Sequence, residues 1–302
     1  RDFFERRLIQ NIRSSLHGLH ITRVESLRSR IRVALPPEGG NQYMIDPLQR
    51  VFGIANFSFA EAVELDLGSP SLDVLGGKTG DALVHRAFES FRVTARRADK
   101  RLALTSMDVE RAIGAYLQRV TAKNVQLKNP DLTVYVHLLT KEAYFSLEKI
   151  EGPGGMPVGL SGSVRCLISG GIDSPVPAYP MMKRGCNAVF VHFSGRPLVS
   201  RASEEKVREL VQILTAYQYR SKLYVVPFGT IQREIVAQAP APYRVGLYRR
   251  LMVRIAGGLA QREKCWGLVT GDSLGQVASQ TPENLTVIEE AAEVPILRPL
   301  IG

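Results

Sequence analysis

The chain is poor in cysteine and contains no long apolar run. Its three cysteines, Cys166, Cys186 and Cys265, are odd in number and far apart. That pattern excludes a disulfide framework and a cysteine-rich metal knuckle, and it is typical of a reducing compartment. No apolar stretch approaches the ~20 residues that a membrane helix needs, and the opening segment RDFFERRLIQNIR has no secretory apolar core. We therefore expect a cytoplasmic protein with no membrane partner.

Acidic residues are outnumbered by basic ones, 29 to 39, so the net charge is +10. A basic surface attracts polyanions and raises their encounter rate, although many basic proteins bind nothing in particular. The 302 residues contain no internal repeat and no low-complexity tract, and 45% of them are hydrophobic. This length and composition predict two or three globular domains with substantial cores.

The first half of the chain has the mixed pattern of an α+β region. Helical spacing of apolar residues and a Thr105–Asp108 capping signal predict helices, and period-two alternation predicts strands. The predicted elements are a helix over residues 1–18, a strand over 30–35, a helix over 81–90, a strand over 91–95, a helix over 105–120, and a hairpin with strands over 133–138 and 143–147. Residues 59–66 fit either a helix or a strand.

The second half follows a glycine- and proline-rich segment, EGPGGMPVGLSGS at residues 151–163, which predicts an interdomain linker. A long surface loop within one domain is the alternative. Beyond it, strands alternate with helices, which predicts a parallel sheet covered by helices on both faces. The predicted strands are 164–168, 188–193, 222–226 and 267–270, and the helices are 203–217, with Ser203 as N-cap, and 243–264.

The strongest chemical signal is SGGIDSP at residues 169–175, directly after the 164–168 strand. Its two glycines allow a sharp turn that presents consecutive N–H groups, and such a nest binds an anion. A following helix would point its positive end at the same anion. Ser169 and Ser174 add hydroxyl donors, and Asp173 would orient a metal ion or a donor. The loop is not a Walker A motif, since no Gly-Lys-Ser/Thr follows; a plain strand-to-helix turn is the alternative.

The sequence makes two further predictions about this half of the chain. Pro177 and Pro180 lie in the helix after the loop, and Pro180 removes an internal hydrogen bond, which predicts an irregular helix. The sequence also predicts that Cys166 and Cys265 are buried core thiols and that Cys186 is the exposed one.

The SGGIDSP segment resembles the pyrophosphatase loop (PP-loop) of the N-type ATP pyrophosphatases, and other stretches narrow the match. They are KRG at 183–185, RRLMVRIA at 249–256, TGDSLGQVASQT at 270–281 and PILRPLIG at 295–302. In this order they resemble ThiI, the tRNA 4-thiouridine synthetase family. Stretches of the first half resemble that family's THUMP domain and linker: VFGI at 51–54, the run from Arg96 to Arg101 with LTSM at 104–107, LKNPD at 127–131 and GPGGMPVG at 152–159.

The resemblance implies a partial ferredoxin-like domain over residues 1–48, a THUMP RNA-binding domain over 49–150, a linker over 151–162 and a Rossmann-like PP-loop ATP pyrophosphatase domain over 163–302. It implies no rhodanese-like domain within this sequence. The sulfur-carrying cysteines of such proteins lie further downstream, so none of the three cysteines here is assigned to sulfur transfer.

The reaction implied by the resemblance is adenylation of a uridine O4 in tRNA with release of pyrophosphate, followed by displacement of AMP by sulfur to give 4-thiouridine. ATP and Mg²⁺ are the implied cofactors. The implied partners are tRNA and a cysteine desulfurase or other persulfide donor. A homodimer and a further role in thiamine thiazole synthesis are left open.

The resemblance also implies site residues. Ser169, Gly170, Gly171, Asp173 and Ser174 would hold the pyrophosphate end of ATP, and Gly271 and Gln280 would line its adenine and α-phosphate side. Asp173, Lys183 and Arg250 are expected to be catalytic, with Arg254 a further cation, although Arg250 and Arg254 fit a solvated helix face as well. No residue is assigned as a direct metal ligand.

A short basic cluster is expected to contact RNA, and it consists of Arg92, Arg96, Arg97, Lys100 and Arg101, with Lys123 and Lys128 as an extension. Such phosphate contacts supply affinity with little sequence specificity. A solvated strand-to-loop cluster is the alternative.

Two other functions remain open at the level of sequence. One is another adenylating PP-loop enzyme, such as a 2-thiouridine synthetase or an amide-forming synthetase, which the THUMP-like half argues against. The other is a tRNA-binding module with a vestigial ATP site. The intact SGGIDS loop argues against that module, whereas the two prolines and the unassigned cysteine favour it.

Overall fold

The computed structural model describes residues 2–19, 21–27, 30–35, 41–64, 72–98, 104–139, 142–198 and 200–301. Contacts divide the chain into two compact units. The larger unit comprises Arg1–Glu25, Val33–Ala55 and Gly152–Gly302, and the smaller unit comprises Ser26–Arg32 and Asn56–Glu151. Among the helices described, none combines the length and the apolar character needed to cross a bilayer.

The amino-terminal part of the chain forms a helix, a two-stranded ribbon and a second short helix. These are α1 (Asp2–Ser15), β1 (Arg23–Leu27), β2 (Arg30–Ala34), a 3₁₀ turn (Asn41–Met44) and α2 (Ile45–Leu48). The apolar side of α1 buries Leu8 and Ile12, which confirms the predicted amphipathic helix. Shortly after α2, Phe52 is fully buried against the ring of Tyr179, 5.2 Å between centroids, in the core of the larger unit.

The smaller unit is a mixed five-stranded sheet with two helices on one face. Its elements are β3 (Asn56–Phe57), β4 (Glu61–Glu64), α3 (Asp73–Leu83), β5 (Ser90–Arg97), α4 (Ser106–Thr121), β6 (Asn124–Val125), β7 (Leu132–Leu138), β8 (Glu142–Ser146) and β9 (Ile150–Glu151). The order of the main sheet is β4-β8-β7-β5-β6, and β3 pairs separately with β9. Burial alternates along β7, so one sheet face packs on α3 and α4 while the other stays partly open.

Local sequence signals predicted one of the two helices of this unit correctly and misplaced the other. The Thr105–Asp108 capping box is present, and α4 follows it as predicted. The helix predicted over residues 81–90 is wrong in position, since α3 ends at Leu83 and begins at Asp73. Glycines at 76, 77 and 80 disfavour a helix locally, but they allow close packing: a Cβ on Gly76 would lie 2.9 Å from the Tyr116 ring of α4.

The second part of the larger unit is a parallel five-stranded sheet between two helical layers, as predicted. Its elements are β10 (Ser163–Leu167), α5 (Ala178–Lys183), β11 (Asn187–Ser194), α6 (Ala202–Thr215), β12 (Leu223–Pro227), α7 (Gly229–Gln238), α8 (Ala241–Arg262), β13 (Cys265–Val269), a 3₁₀ turn (Ala278–Gln280), α9 (Pro282–Glu289) and β14 (Ile296–Leu297). The strand order is β12-β11-β10-β13-β14, and every pairing is parallel. Helices α5 and α6 cover one face, and α8 and α9 cover the other.

The helix after the glycine-rich loop begins later than expected. Residues 173–177 are turns, and α5 begins only at Ala178. Pro175 and Pro177 have no N–H to donate, so the chain turns through i→i+3 bonds such as Ala178 N–H to the Pro175 carbonyl, 3.2 Å. Pro180 is the third residue of this short helix, where a missing N–H costs little. The expected helix N-terminus at the loop itself is therefore wrong.

The start of α6 also differs from the sequence prediction. Its N-cap is Arg201, which makes no side-chain cap, so Ser203 lies inside the first turn rather than at the cap. The acids Glu204 and Glu205 do occupy the first turn, as predicted, where their negative charges interact favourably with the positive end of the helix dipole.

The glycine-rich segment between the two halves packs on the larger unit. The Gly159 and Ser161 N–H groups both donate to the Gly185 carbonyl, at 2.8 and 3.0 Å. This contact buries Cys186, whose side chain is 2% exposed, so the predicted exposure of Cys186 is wrong. Cys166 and Cys265 are buried as predicted. Burial raises the pKa of all three thiols, which disfavours the reactive thiolate.

A buried arginine lies in the middle of the parallel sheet. Arg165 on β10 is fully buried, and its Nη2 donates to the Leu259 carbonyl in the last turns of α8, 2.7 Å away. Its guanidinium lies 4.6 Å from the ring centroid of Tyr224. Nε and Nη1 have no hydrogen-bond partner among the described residues. Arg165 therefore contributes packing, one helix-end contact and an electrostatic interaction with Glu263, but two of its nitrogens stay without hydrogen bonds among the described residues.

Replacement of Arg165 should separate packing from charge. We expect Arg165→Ala to lower the free energy of unfolding by about 3 kcal/mol, since it leaves a cavity and an unpaired carbonyl. Arg165→Met fills the space without a buried charge, so we expect a cost of about 1 kcal/mol or less. Urea unfolding monitored by circular dichroism measures both. Equal losses in the two variants would show that the charge itself stabilises the fold.

Candidate active site

The site lies where β10 and β13 end side by side. The chain leaves β10 toward β11 and β12 on one side and reaches β13 and β14 on the other, so the strand order reverses between β10 and β13. Open parallel sheets bind ligands in the crevice at the carboxyl ends of such strands. Two loops meet there, residues 168–177 after β10 and residues 270–281 after β13.

A glycine brings these two loops into backbone contact. A Cβ on Gly271 would lie 2.5 Å from the Asp173 carbonyl oxygen and 2.9 Å from the Ser174 Cα. No other residue type fits there unless the backbone moves. The sequence singled out both loops, and the structure shows that they form one site.

The first loop is folded around the hydroxyl of Ser174. This hydroxyl accepts from the Ser169 N–H at 2.8 Å and donates to the Ser169 carbonyl at 3.0 Å, and it also lies 3.1 Å from the Ser169 hydroxyl. The Gly171 N–H donates to the Ser169 hydroxyl at 3.3 Å. Side-chain hydroxyls thus hold the loop in its turned shape.

The remaining loop amides are available to a ligand. Among the described residues, no hydrogen-bond acceptor is found for the N–H groups of Gly170, Ile172, Asp173 and Ser174. Neither Gly170 nor Gly171 has a positive φ. These glycines therefore serve by leaving space in front of the amides, and unpartnered consecutive amides form an anion-binding surface.

Asp173 faces the second loop. Its carboxylate accepts from the side-chain amide of Gln276 at 3.3 Å, a contact that the sequence did not single out. No group of three or more His, Cys, Asp or Glu side chains that would hold a metal ion occurs among the described residues. Asp173 thus lies beside the anion-binding amides without belonging to such a group of described residues.

A charged network fixes the second loop from behind. Asp272 is buried and accepts from the Thr270 hydroxyl at 2.8 Å and from the Arg249 guanidinium, which also donates to the Ser279 carbonyl at 2.8 Å. Nε of Arg298 approaches Asp272 at 3.4 Å, and Arg298 also pairs with Glu289. Arg249 and Asp272 are functional candidates that helical spacing alone did not identify.

One of the expected catalytic cations is engaged away from the loop. Arg250 donates to the Val287 carbonyl and pairs with Glu290 at 3.2 Å, so its guanidinium is occupied by α9. Lys183 is the last residue of α5, where a Cβ on Gly155 would meet its carbonyl oxygen at 2.4 Å. Arg250 is therefore held by α9 and is not directed to the loop, whereas the catalytic role of Lys183 stays a prediction. Arg254 is exposed on α8.

Gln280 closes the second loop. It is 9% exposed, its carbonyl accepts from the Gly275 N–H at 3.1 Å, and its side-chain Oε1 has no hydrogen-bond donor among the described residues. A buried acceptor without a donor costs free energy unless a ligand supplies one. Gln280 thus offers an acceptor at the second loop that no described residue uses.

The basic cluster of the smaller unit is divided between the two faces of its sheet. Arg92 and Arg96 lie on the partly open face of the sheet. Arg97 lies on the opposite face, where it donates to the Leu104 carbonyl at 3.2 Å. Arg92 donates to the Thr133 hydroxyl at 3.2 Å. Lys100 and Arg101 lie outside the described residues, and Lys123 is paired with Glu89 at 2.8 Å. The linear cluster is therefore not a single patch.

Arg96 is joined on this face by residues that the sequence did not single out. It pairs in register with His137, and Arg30 of β2 adds a second guanidinium. Burial, with the charges of Arg30 and Arg96, lowers the pKa of His137 to about 4, and burial, with Arg96, lowers the pKa of Arg30. Nδ1 of His137 has no partner among the described residues. Such a cation-rich face fits an anion.

Comparison with protein families gives three matches in chain order. Residues 1–58 match the ThiI ferredoxin-like domain, residues 79–148 match the THUMP domain, and residues 159–302 match the thiamine biosynthesis protein (ThiI) family. Two solved structures are similar over the whole chain. One is a 4-thiouridine synthetase–RNA complex with bound ATP, with a TM-score of 0.87, 29% identity and 77% of that chain covered. The other is PH1313 from Pyrococcus horikoshii Ot3, with a TM-score of 0.77, 27% identity and 89% of that chain covered.

Curated relatives agree with these matches. A probable tRNA sulfurtransferase of Thermus thermophilus is 43% identical over 302 residues, which covers all of this chain and 73% of the relative. A probable tRNA sulfurtransferase of a Geobacillus species is 39% identical over 303 residues and 75% covered. The ferredoxin-like, THUMP and ThiI segments, together with the glycine-rich loop at the β10–β13 crevice, show that this chain belongs to the ThiI family of tRNA sulfurtransferases.

Proposed function

We propose that this protein is an ATP-dependent tRNA sulfurtransferase that adenylates a uridine O4 and so prepares it for replacement by sulfur, giving 4-thiouridine. The observation that carries the proposal is the close contact of Gly271 with Asp173 and Ser174, which sets unpartnered loop amides opposite the residue 270–281 loop. A carbonyl oxygen is a poor leaving group, and attachment of AMP converts it into a good one.

In this proposal the loop residues bind the phosphates of ATP. The amides of Gly170 and Ile172 through Ser174 face the pyrophosphate end, while the Ser169 and Ser174 hydroxyls keep the loop turned. Gly271 lies beside the α-phosphate, and the unpaired Oε1 of Gln280 would accept a hydrogen bond from the adenine amino group. Preorganised donors of this kind stabilise charge as it develops on the phosphates.

The carboxylate of Asp173 fits a Mg²⁺ ion bound with ATP. Mg²⁺ is commonly held by one or two carboxylates together with substrate phosphates, so a single acid beside the loop is sufficient. The ion would neutralise phosphate charge. Asp272 is occupied by Arg249 and Arg298, and we therefore assign it to positioning the loop instead.

Sulfur is proposed to come from a separate persulfide donor, such as a cysteine desulfurase. All three cysteines are buried with raised thiol pKa values, so none is suited to carry a persulfide in this conformation. A cytoplasmic location is consistent with these reduced thiols.

The tRNA is proposed to contact the partly open face of the smaller unit's sheet. Arg96 and Arg30 have no acidic partner within 4.0 Å among the described residues, and Tyr135 and Tyr144 lie on the same face. Unpaired guanidinium groups bind phosphates, and tyrosine rings stack on bases. Arg92 lies on the same face, and Arg97 supports the fold by its contact with Leu104.

The first test concerns Asp173. We expect Asp173→Ala to lower tRNA-dependent formation of AMP and pyrophosphate by about 100-fold or more, because it removes the carboxylate that positions the metal and Gln276. Product formation from labelled ATP and tRNA transcript measures this, with the exposed Asp81→Ala as a control. If the unmodified protein binds tRNA but neither binds nor turns over ATP, the protein is instead an RNA-binding module with a vestigial site.

The second test concerns the contact between the loops. Gly271→Ala places a methyl group 2.5 Å from the Asp173 carbonyl oxygen, so the loops must separate. We expect AMP formation to fall by roughly 100-fold, as is typical of a displacement near 1 Å at reacting groups. The matched control is Gly258→Ala at an exposed position of α8, where nothing lies within 4 Å of an added Cβ; it should raise stability by about 0.5–1 kcal/mol and leave activity unchanged. An active Gly271→Ala variant would contradict the assignment.

The third test concerns RNA binding. Arg96→Met should weaken binding of all tRNA sequences alike and reduce the slope of log Kd against log salt by about 1, as expected for one lost phosphate contact. Fluorescence anisotropy with a labelled acceptor-stem RNA at several salt concentrations measures both. Arg86→Met is the control, since Arg86 is already paired with Glu148 at 3.1 Å. Equal salt slopes in both variants would exclude Arg96 from the RNA contact.

A further inference from the structure

The first turn of α6 lies directly beside the glycine-rich loop. A Cβ on Gly170 would lie 3.4 Å from Cδ of Lys206 and 3.9 Å from Oγ of Ser203. These two residues are three apart on one side of the helix, so both face the loop. Gly170 is one of the residues whose N–H has no acceptor among the described residues. A lysine and a hydroxyl therefore stand next to the proposed phosphate site.

Lys206 is the kind of cation that the loop itself lacks. Residues 169–177 contain no lysine or arginine. Lys206 is exposed, and no carboxylate lies within 4.0 Å of its ammonium group among the described residues. Its charge is consequently free to act on a phosphate.

The acid nearest in sequence to Ser203 is directed elsewhere. Glu204 accepts a hydrogen bond from the Ser194 hydroxyl at 2.6 Å and lies 3.9 Å from Arg196. The hydrogen bond from Ser194 lowers the pKa of Glu204, so the carboxylate stays ionised against its own partners. The first turn of α6 therefore separates its charges, with Glu204 toward the end of β11 and Lys206 toward the loop.

We propose that Lys206, assisted by Ser203, binds the β- and γ-phosphates of ATP and stabilises pyrophosphate as it leaves. This role rests on the proposed function. It means that the cation that the loop lacks is supplied by α6, the helix that follows β11. A lysine has a flexible stem and a compact charge, so it reaches a phosphate while its backbone stays outside the loop. The Ser203 hydroxyl would donate to an adjacent phosphate oxygen.

The step in which Lys206 acts is the transfer of AMP. The carbonyl oxygen of the uridine attacks the α-phosphorus, and the bond from that phosphorus to the bridging oxygen of the β-phosphate breaks. The electron pair of this bond remains on the departing pyrophosphate, which therefore gains negative charge. The N3–H proton of the uridine is released to water as the C4–N3 double bond forms. The Lys206 ammonium stabilises the charge on pyrophosphate without giving up a proton.

Lys206→Met tests the proposal in the full chain with MgATP and tRNA transcript. We expect the KM for ATP to rise and kcat for AMP formation to fall, with a combined loss in kcat/KM of about 10- to 100-fold, as for a lost charge-assisted contact. Inhibition by added inorganic pyrophosphate should weaken in parallel. Lys206→Arg keeps the charge and should restore most of the pyrophosphate inhibition, whereas Ser203→Ala should have a smaller effect than Lys206→Met.

The matched control is Arg208→Met on the same helix. Arg208 lies two residues further along and lines a groove with Arg50 and Thr215 rather than the loop. It should retain the kinetic constants of the unmodified protein. Both side chains are exposed, so neither substitution should unfold the protein, and thermal melting checks this.

Wild-type ATP kinetics and pyrophosphate inhibition in Lys206→Met, with Asp173→Ala inactive, would overturn this inference and leave the proposed function in place. An unmodified protein that neither binds ATP nor forms AMP in the presence of tRNA would overturn the proposed function itself. Equal losses in Lys206→Met and Arg208→Met would also refute a specific role for Lys206, since a general change in surface charge would then explain them.

Discussion

The site depends on one close approach between two backbones. Gly271 packs against Asp173 and Ser174 so tightly that a single added carbon would collide with a carbonyl oxygen. This contact exists because β10 and β13 are neighbours in a parallel sheet, which brings their carboxyl ends to the same edge. The placement of Asp173 opposite the second loop and its contact with Gln276 follow from it.

Electrostatics then divide the cations around the site into two kinds. Arg249 and Arg298 share Asp272 and support the second loop, so their charges are largely compensated. Lys206 has no such partner in the part of the chain that the structure describes, and it stands beside Gly170. Compensated cations hold a loop in position, whereas an uncompensated one attracts an anion, so the two kinds fit positioning and phosphate binding respectively.

The smaller unit follows the same rule on its own sheet. Arg32 of β2 is held by Glu142 at 2.9 Å and by the Tyr144 hydroxyl, which fixes the strand that carries Arg30. Arg30 and Arg96 then face a neutral, half-buried His137, and no carboxylate of the described residues pairs with either guanidinium. The fold keeps like charges together on this face, an arrangement that is costly unless a polyanion binds there.

Local sequence by itself determined the elements whose signals are short-range. The capping box at Thr105, the alternation along β7 and the strand–SGGIDS order were each readable because their determinants lie within a few residues. The resemblance to ThiI added the domain order.

Tertiary packing alone decided the rest. The close packing of Gly76 against Tyr116 stabilises α3 despite its glycines. The segment that is hydrogen-bonded to Gly185 buries Cys186. The sheet separated Arg96 from Arg97, and α9 occupied Arg250 while Arg249 reached the loop. Lys206 reached Gly170 across 36 positions of sequence, and no periodicity or composition encodes such a distance, because contacts between distant segments depend on the strand order rather than on any local pattern.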